Sequence, residues 1–66
     1  MNIVVNGAKC VVAEGATVAG LLAELELAPG AVVVQRNADI VMRDAYADTS
    51  LAENDAVELV RIVGGG

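Results

Sequence analysis

Val57-Glu58-Leu59-Val60-Arg61-Ile62-Val63-Gly64-Gly65-Gly66 decides how this chain reads. A strand-like apolar run leads directly into three glycines. Glycine has no Cβ, so such a tail can extend through a channel too narrow for any other residue. The carboxylate at its end is the least hindered that a chain offers. Two readings stand side by side. Either the C-terminus is itself a reactive group, or the glycines are a frayed, linker-like end.

The alternation within the run fixes faces. Val57 and Leu59 fall on one side of a strand, and Glu58, Val60 and Ile62 on the other. An amphipathic helix upstream needs the first face. Unless edge loops cover the second, Val60 and Ile62 are exposed apolar residues, the kind of surface that marks a partner site. Arg61 lies between them in sequence, and Arg43 ends an earlier strand. Each either pairs with an acidic partner surface or is a solubilising side chain laid over apolar surface.

Composition narrows the function classes. Sixty-six residues make one small domain with a modest buried fraction. Its apolar residues are mostly Val, Ala and Leu, with one Tyr and no Phe or Trp, which suits sheet surfaces. Nine Asp/Glu against four Lys/Arg argues against nucleic acid, where basic patches supply most of the affinity. Cys10 is the only cysteine and there is no histidine. An intrachain disulfide, a zinc site or a histidine triad therefore lacks its materials. No basic leader and no apolar run of ~20 residues is present, so a cytoplasmic protein without a membrane span is expected.

Upstream of the decisive run, Asn2–Asn6 reads as a strand with Ile3 and Val5 on one face. Asn6-Gly7 is a tight-turn pair, and Lys9–Ala13 returns as a second strand. Cys10 belongs to that apolar pattern and reads as a core residue. Thr17 is a helix N-cap. Val18, Leu21, Leu22 and Leu25 make one helical stripe, ending by Pro29-Gly30. Gly20 marks either a close approach of helix to sheet or a weak spot costing about 1 kcal/mol. Ala31–Gln35 is a near-continuous Val strand expected to be buried on both faces. Ile40–Met42 is a short strand. Arg43–Asp48 holds one helical turn carrying Tyr46, a packing residue with a wet hydroxyl. Leu51 plugs the core, and Ala56–Val63 is the last strand. This is an α+β fold: a mixed sheet of about five strands, one main helix packed on one face, and a flexible glycine tail.

The ββαβββ order, the small size and the apolar last strand ending in glycines resemble the β-grasp, ubiquitin-like sulfur carriers, in particular the ThiS family of thiamine biosynthesis. The resemblance spans the chain. It rests on Ile3-Val4-Val5-Asn6-Gly7, on Thr17-Val18 with Leu21-Leu22, and on Ile40-Val41-Met42-Arg43 followed by Tyr46-Ala47. Its strongest part is Glu53-Asn54-Asp55-Ala56-Val57-Glu58 leading to Gly64-Gly65-Gly66. Three departures stand out. Asn37-Ala38 replaces an Asn-Gly turn, Met42 replaces a proline, and Asn54 replaces a glycine before the last strand.

The resemblance implies a carrier, not an enzyme, with residues 1–63 as the β-grasp domain and 64–66 as the reactive tail. It implies that a ThiF-type, E1-like enzyme adenylates the Gly66 carboxylate with ATP. Sulfur from a cysteine-desulfurase-derived persulfide then forms a thiocarboxylate, and a ThiG-type thiazole synthase consumes it. Gly64 and Gly65 would thread into the partners' clefts, with Val60, Ile62 and Arg61 as docking residues. No cofactor is bound. The alternatives are a carrier for another pathway, similar to the small subunit of molybdopterin synthase, and a β-grasp interaction module with an inert tail.

Overall fold

The two Asn-led turns build the two hairpins. In the computed structural model, which describes residues 1–63, β1 (Asn2–Val5) and β2 (Ala8–Val11) pair antiparallel, with Val5 opposite Ala8. Asn6 and Gly7 close the loop with φ of 49° and 83°. Positive φ at both central residues is the turn geometry that matches strand twist. β3 (Val32–Arg36) and β4 (Asp39–Val41) repeat the design, with Asn37 at 52° and Ala38 at 73°.

β5 (Ala56–Arg61) runs between the hairpins, parallel to β1 and antiparallel to β3. The sheet order is β2-β1-β5-β3-β4. The last strand in sequence is thus the central strand in space. Its two ladders are the most non-local pairings in the sheet.

The helix α1 (Val18–Glu24) buries Val18, Leu21 and Leu22. Thr17 caps it as expected, its Oγ1 accepting from the Gly20 N–H at 3.1 Å. Two further first-turn donors are satisfied from outside the helix, Val18 by the Thr49 carbonyl and Ala19 by the Tyr46 carbonyl. The helix ends earlier than expected. Glu26 takes φ 58°, its N–H donates to the Ala23 carbonyl, and the Leu27 N–H reaches back to the Leu22 carbonyl. That is a Schellman ending with glutamate where glycine is usual. Leu25 therefore leaves the stripe and is 42% exposed, and Leu27 packs partly against the core instead. Pro29 begins only a short 3-10 turn, Pro29–Ala31.

The core joins Ile3, Val12, Val18, Leu21, Leu22, Val32, Val34, Tyr46, Leu51, Val57 and Leu59. All of it lies between α1 with its flanking loops and one sheet face. The expectation that β3 is buried on both faces is therefore wrong. Val32 and Val34 are buried, but Val33 points to the uncovered side and is 37% exposed. Tyr46 packs in the core after the 3-10 turn Arg43–Ala45, but its hydroxyl is not wet. It donates to the buried Val32 carbonyl at 3.5 Å. Gly20 marks no helix–sheet contact: it is exposed, and a Cβ there would meet only Thr17 Oγ1 at 3.5 Å. Among the described residues no helix is long and apolar enough to cross a membrane.

Candidate functional site at the end of the last strand

The expected site centres on Gly64, Gly65 and Gly66, which lie outside the described residues. The structure does describe the platform that leads to them. β5 enters this platform under strong polar constraint. Asp55, just before the strand, is buried, and its carboxylate accepts from Arg36 Nε at 2.7 Å, the Ala52 N–H at 2.8 Å and Asn37 Nδ2 at 3.0 Å. Burial alone would raise the Asp55 pKa. The hydrogen bonds from Ala52, Arg36 and Asn37, together with the Arg36 charge, outweigh it and hold the carboxyl below its ordinary range. Asn37 also takes the strand's first donor, its Oδ1 accepting from the Ala56 N–H at 2.9 Å.

Further along, Asn6 does the equivalent work. Direct β1·β5 pairing reaches Val5 opposite Val57. Beyond it the Asn6 side chain stands in for a peptide group. Its Oδ1 accepts from the Leu59 N–H at 2.7 Å, and its Nδ2 donates to the Leu59 carbonyl at 3.2 Å. Sequence reading took Asn6 as the end of the first strand and the start of a turn. Nothing local in Asn6-Gly7 reveals a partner 53 positions away.

The residues expected to dock partners do not share a face. Val60 and Ile62 lie on the open face, 55% and 53% exposed. Val60 pairs with Val33 across β3, and the Ile62 N–H donates to the Ala31 carbonyl, carrying the β3 ladder past Arg61. Met42, one position beyond the Val34–Val41 pair, aligns beside Val33 and is 67% exposed, and Ile40 lies opposite Gln35. The open face thus carries an aliphatic strip of Val60, Val33 and Met42, with Ile62 and Ile40 adjoining. Val33, Met42 and Ile40 were missed because their exposure depends on which face the helix leaves bare.

Arg61 belongs to the other face. It follows Val57 and Leu59 in the alternation and lines a groove with Val5, Asn6, Leu25, Leu27 and Leu59. Arg43 is laid over the loop, its guanidinium 3.6 Å from where a Cβ on Gly30 would stand.

A five-stranded mixed sheet with a parallel β1·β5 pair at its centre, one helix across one face and an aliphatic strip on the open face defines a β-grasp, ubiquitin-like protein. The comparisons agree with that class and narrow it. The model of the ThiS family matches residues 2–66. The chain is 38% identical over 50 residues to the sulfur carrier protein ThiS of Bacillus subtilis, covering 76% of each. It superposes on the crystal structure of a thiamine biosynthesis protein (ThiS) from Geobacter metallireducens with TM-score 0.85, 38% identity and 100% coverage of both chains. This chain belongs to the ThiS family. It is also 41% identical over its whole length to a thiazole synthase of Magnetococcus marinus and 36% identical to one of Paramagnetospirillum magneticum. The chain spans 20% of the length of each of these two relatives.

Proposed function

We propose that this chain carries sulfur for thiazole formation in thiamine biosynthesis, with Gly66 ending the chain as the carboxylate that bears the sulfur. The observation that carries this reading is the match to the ThiS family across residues 2–66, glycine run included. A carboxylate is a poor acyl donor because oxide leaves badly. A ThiF-type enzyme overcomes this by transferring AMP from ATP to the Gly66 oxygen, releasing pyrophosphate. A cysteine-derived persulfide then attacks the acyl carbon and AMP leaves. Cleavage of the resulting acyl disulfide by a thiol releases the thiocarboxylate. The carrier contributes no catalytic side chain. It contributes Gly64, Gly65 and Gly66, which have no Cβ atoms, and an aliphatic strip for docking on the strand that precedes them in sequence.

A ThiG-type thiazole synthase is the proposed acceptor. Two relatives named thiazole synthase contain a stretch similar to this chain as a fifth of their length. Joining two partners in one polypeptide raises their effective concentration for each other. That makes a thiazole synthase a better fit than a molybdopterin synthase large subunit.

The test is mass spectrometry of the chain after incubation with a ThiF-type enzyme, ATP and a persulfide donor. The expected result is an ATP-dependent exchange of one oxygen for sulfur, localised by fragmentation to Gly66. Localisation matters because one oxidation of Met1, Met42 or Cys10 changes the mass almost equally. An unchanged Gly66 with an enzyme proven on its own carrier would overturn the reading.

A further inference from the structure

The alternation of β5 leaves two different surfaces at the root of the tail, and the aliphatic strip uses only one of them. On the helix side, Val5, Asn6, Leu25, Leu27, Leu59 and Arg61 line a groove of about 440 Å³. Leu25 is there because the Schellman ending at Glu26 takes it out of the core stripe. The amide of Asn6 is spent on the Leu59 backbone. Among the described residues, this leaves Arg61 as the lining side chain whose polar head has no hydrogen-bond or ion-pair partner. Among the described residues no carboxylate lines the groove, and the ion pair is Arg36 with Asp55, not Arg61.

The chain carries a net charge of −5. A partner that meets it over a broad surface is favoured if that surface is mainly basic. One positive side chain in an acidic field therefore fixes register. It rewards a partner that places a single carboxylate there and penalises a uniformly basic one. The neighbouring aliphatic walls call for an apolar side chain next to that carboxylate.

We propose that this groove is a second docking surface for the activating enzyme, and that it receives an aliphatic side chain flanked by an Asp or Glu. The proposal rests on the carrier reading above. It places contacts on both faces of β5, so that the enzyme grips the strand from two sides just before the tail. A rim ion pair contributes mainly to encounter and register, whereas the aliphatic contact is lost when a charge is put into the groove.

The test is ATP–pyrophosphate exchange by a ThiF-type enzyme at varied carrier concentration. The carriers are the unaltered chain, Arg61→Glu, Arg61→Ala, Leu25→Asp and Val60→Asp, each checked for folding by circular dichroism. Arg61→Glu is expected to raise KM about fivefold and Leu25→Asp about tenfold, both with kcat near that of the unaltered chain. Arg61→Ala should also flatten the rise of KM with salt, because a screened charge pair is removed. Unchanged KM in both groove variants, with KM raised in Val60→Asp, overturns the groove and leaves the carrier reading intact. Failure of the unaltered chain to support exchange overturns the carrier reading, and the groove proposal falls with it.

Discussion

The two ends of β5 are built on opposite principles. At its start, Asp55, Arg36 and Asn37 satisfy one another and the backbone, and a buried carboxylate sits in a closed set of donors. At its finish Asn6 holds the strand on the β1 side and the backbone ladder to β3 holds it on the other, while the side chains there are exposed: Val60, Arg61, Ile62 and Val63. The start spends its side chains on stability. The finish leaves apolar and cationic side chains exposed among the described residues. The lesson is that one short stretch carries both a buried, hydrogen-bonded carboxylate and strongly exposed apolar side chains, within eight residues of each other.

Replacing Asp55 should separate the two ends most sharply. Asp55→Ala strands Arg36 Nε, Asn37 Nδ2 and the Ala52 N–H, and is expected to cost about 3 kcal/mol in urea unfolding. The same carboxylate sets an acid limit. Its folded pKa lies below the ordinary 3.8. The stabilisation it gives is therefore complete above that value and is lost as pH falls through the folded pKa. The urea midpoint should drop on acidification below about pH 4, and it should drop less in Asp55→Asn, which cannot titrate.

Asn6→Ala removes both side-chain bonds to Leu59 and puts a β-carbon residue with no polar compensation at φ 49°. The expected cost is about 2 kcal/mol. A smaller effect comes from the turns themselves. Ala38 sits at φ 73° where its counterpart in the first hairpin, Gly7, sits at 83°. Ala38→Gly should stabilise by about 1 kcal/mol, and Gly7→Ala should destabilise by about as much. No heavy atom lies within 4 Å of a Cβ built on Gly7, so its cost is backbone strain alone. The smallest effect on stability is expected at the finish. Val60→Asp should move the unfolding free energy by no more than about 0.5 kcal/mol, because Val60 is 55% exposed. If Val60→Asp instead unfolds the domain, the contrast between the two ends fails.

Much of the architecture is legible because it is written in local pattern. Asn6-Gly7 announces its hairpin, Thr17 its helix and the alternation from Ala56 its strand, each through short-range sterics and periodicity. The misreadings have separate causes. The helix end at Glu26 lacks the glycine that normally marks it, so Leu25 is read into the stripe although the chain has already turned. The Val32-Val33-Val34 run looks buried throughout because aliphatic identity does not say how many layers cover a sheet. Arg61 is read with Val60 and Ile62 by proximity, although a period of two places it opposite them.

By itself the sequence determined the elements, the α+β class and the family likeness, since these rest on spacing, turn chemistry and composition. Only the tertiary structure decided that β5 lies between β1 and β3, that Asn6 and Asn37 hold it from two hairpins, and that the strip and the groove occupy opposite faces. The physical reason is range. A turn or a helix cap is settled by a few neighbouring residues. The partners of Asn6 and Asp55, and the face left bare by α1, depend on chain closure over tens of residues, which local pattern does not encode.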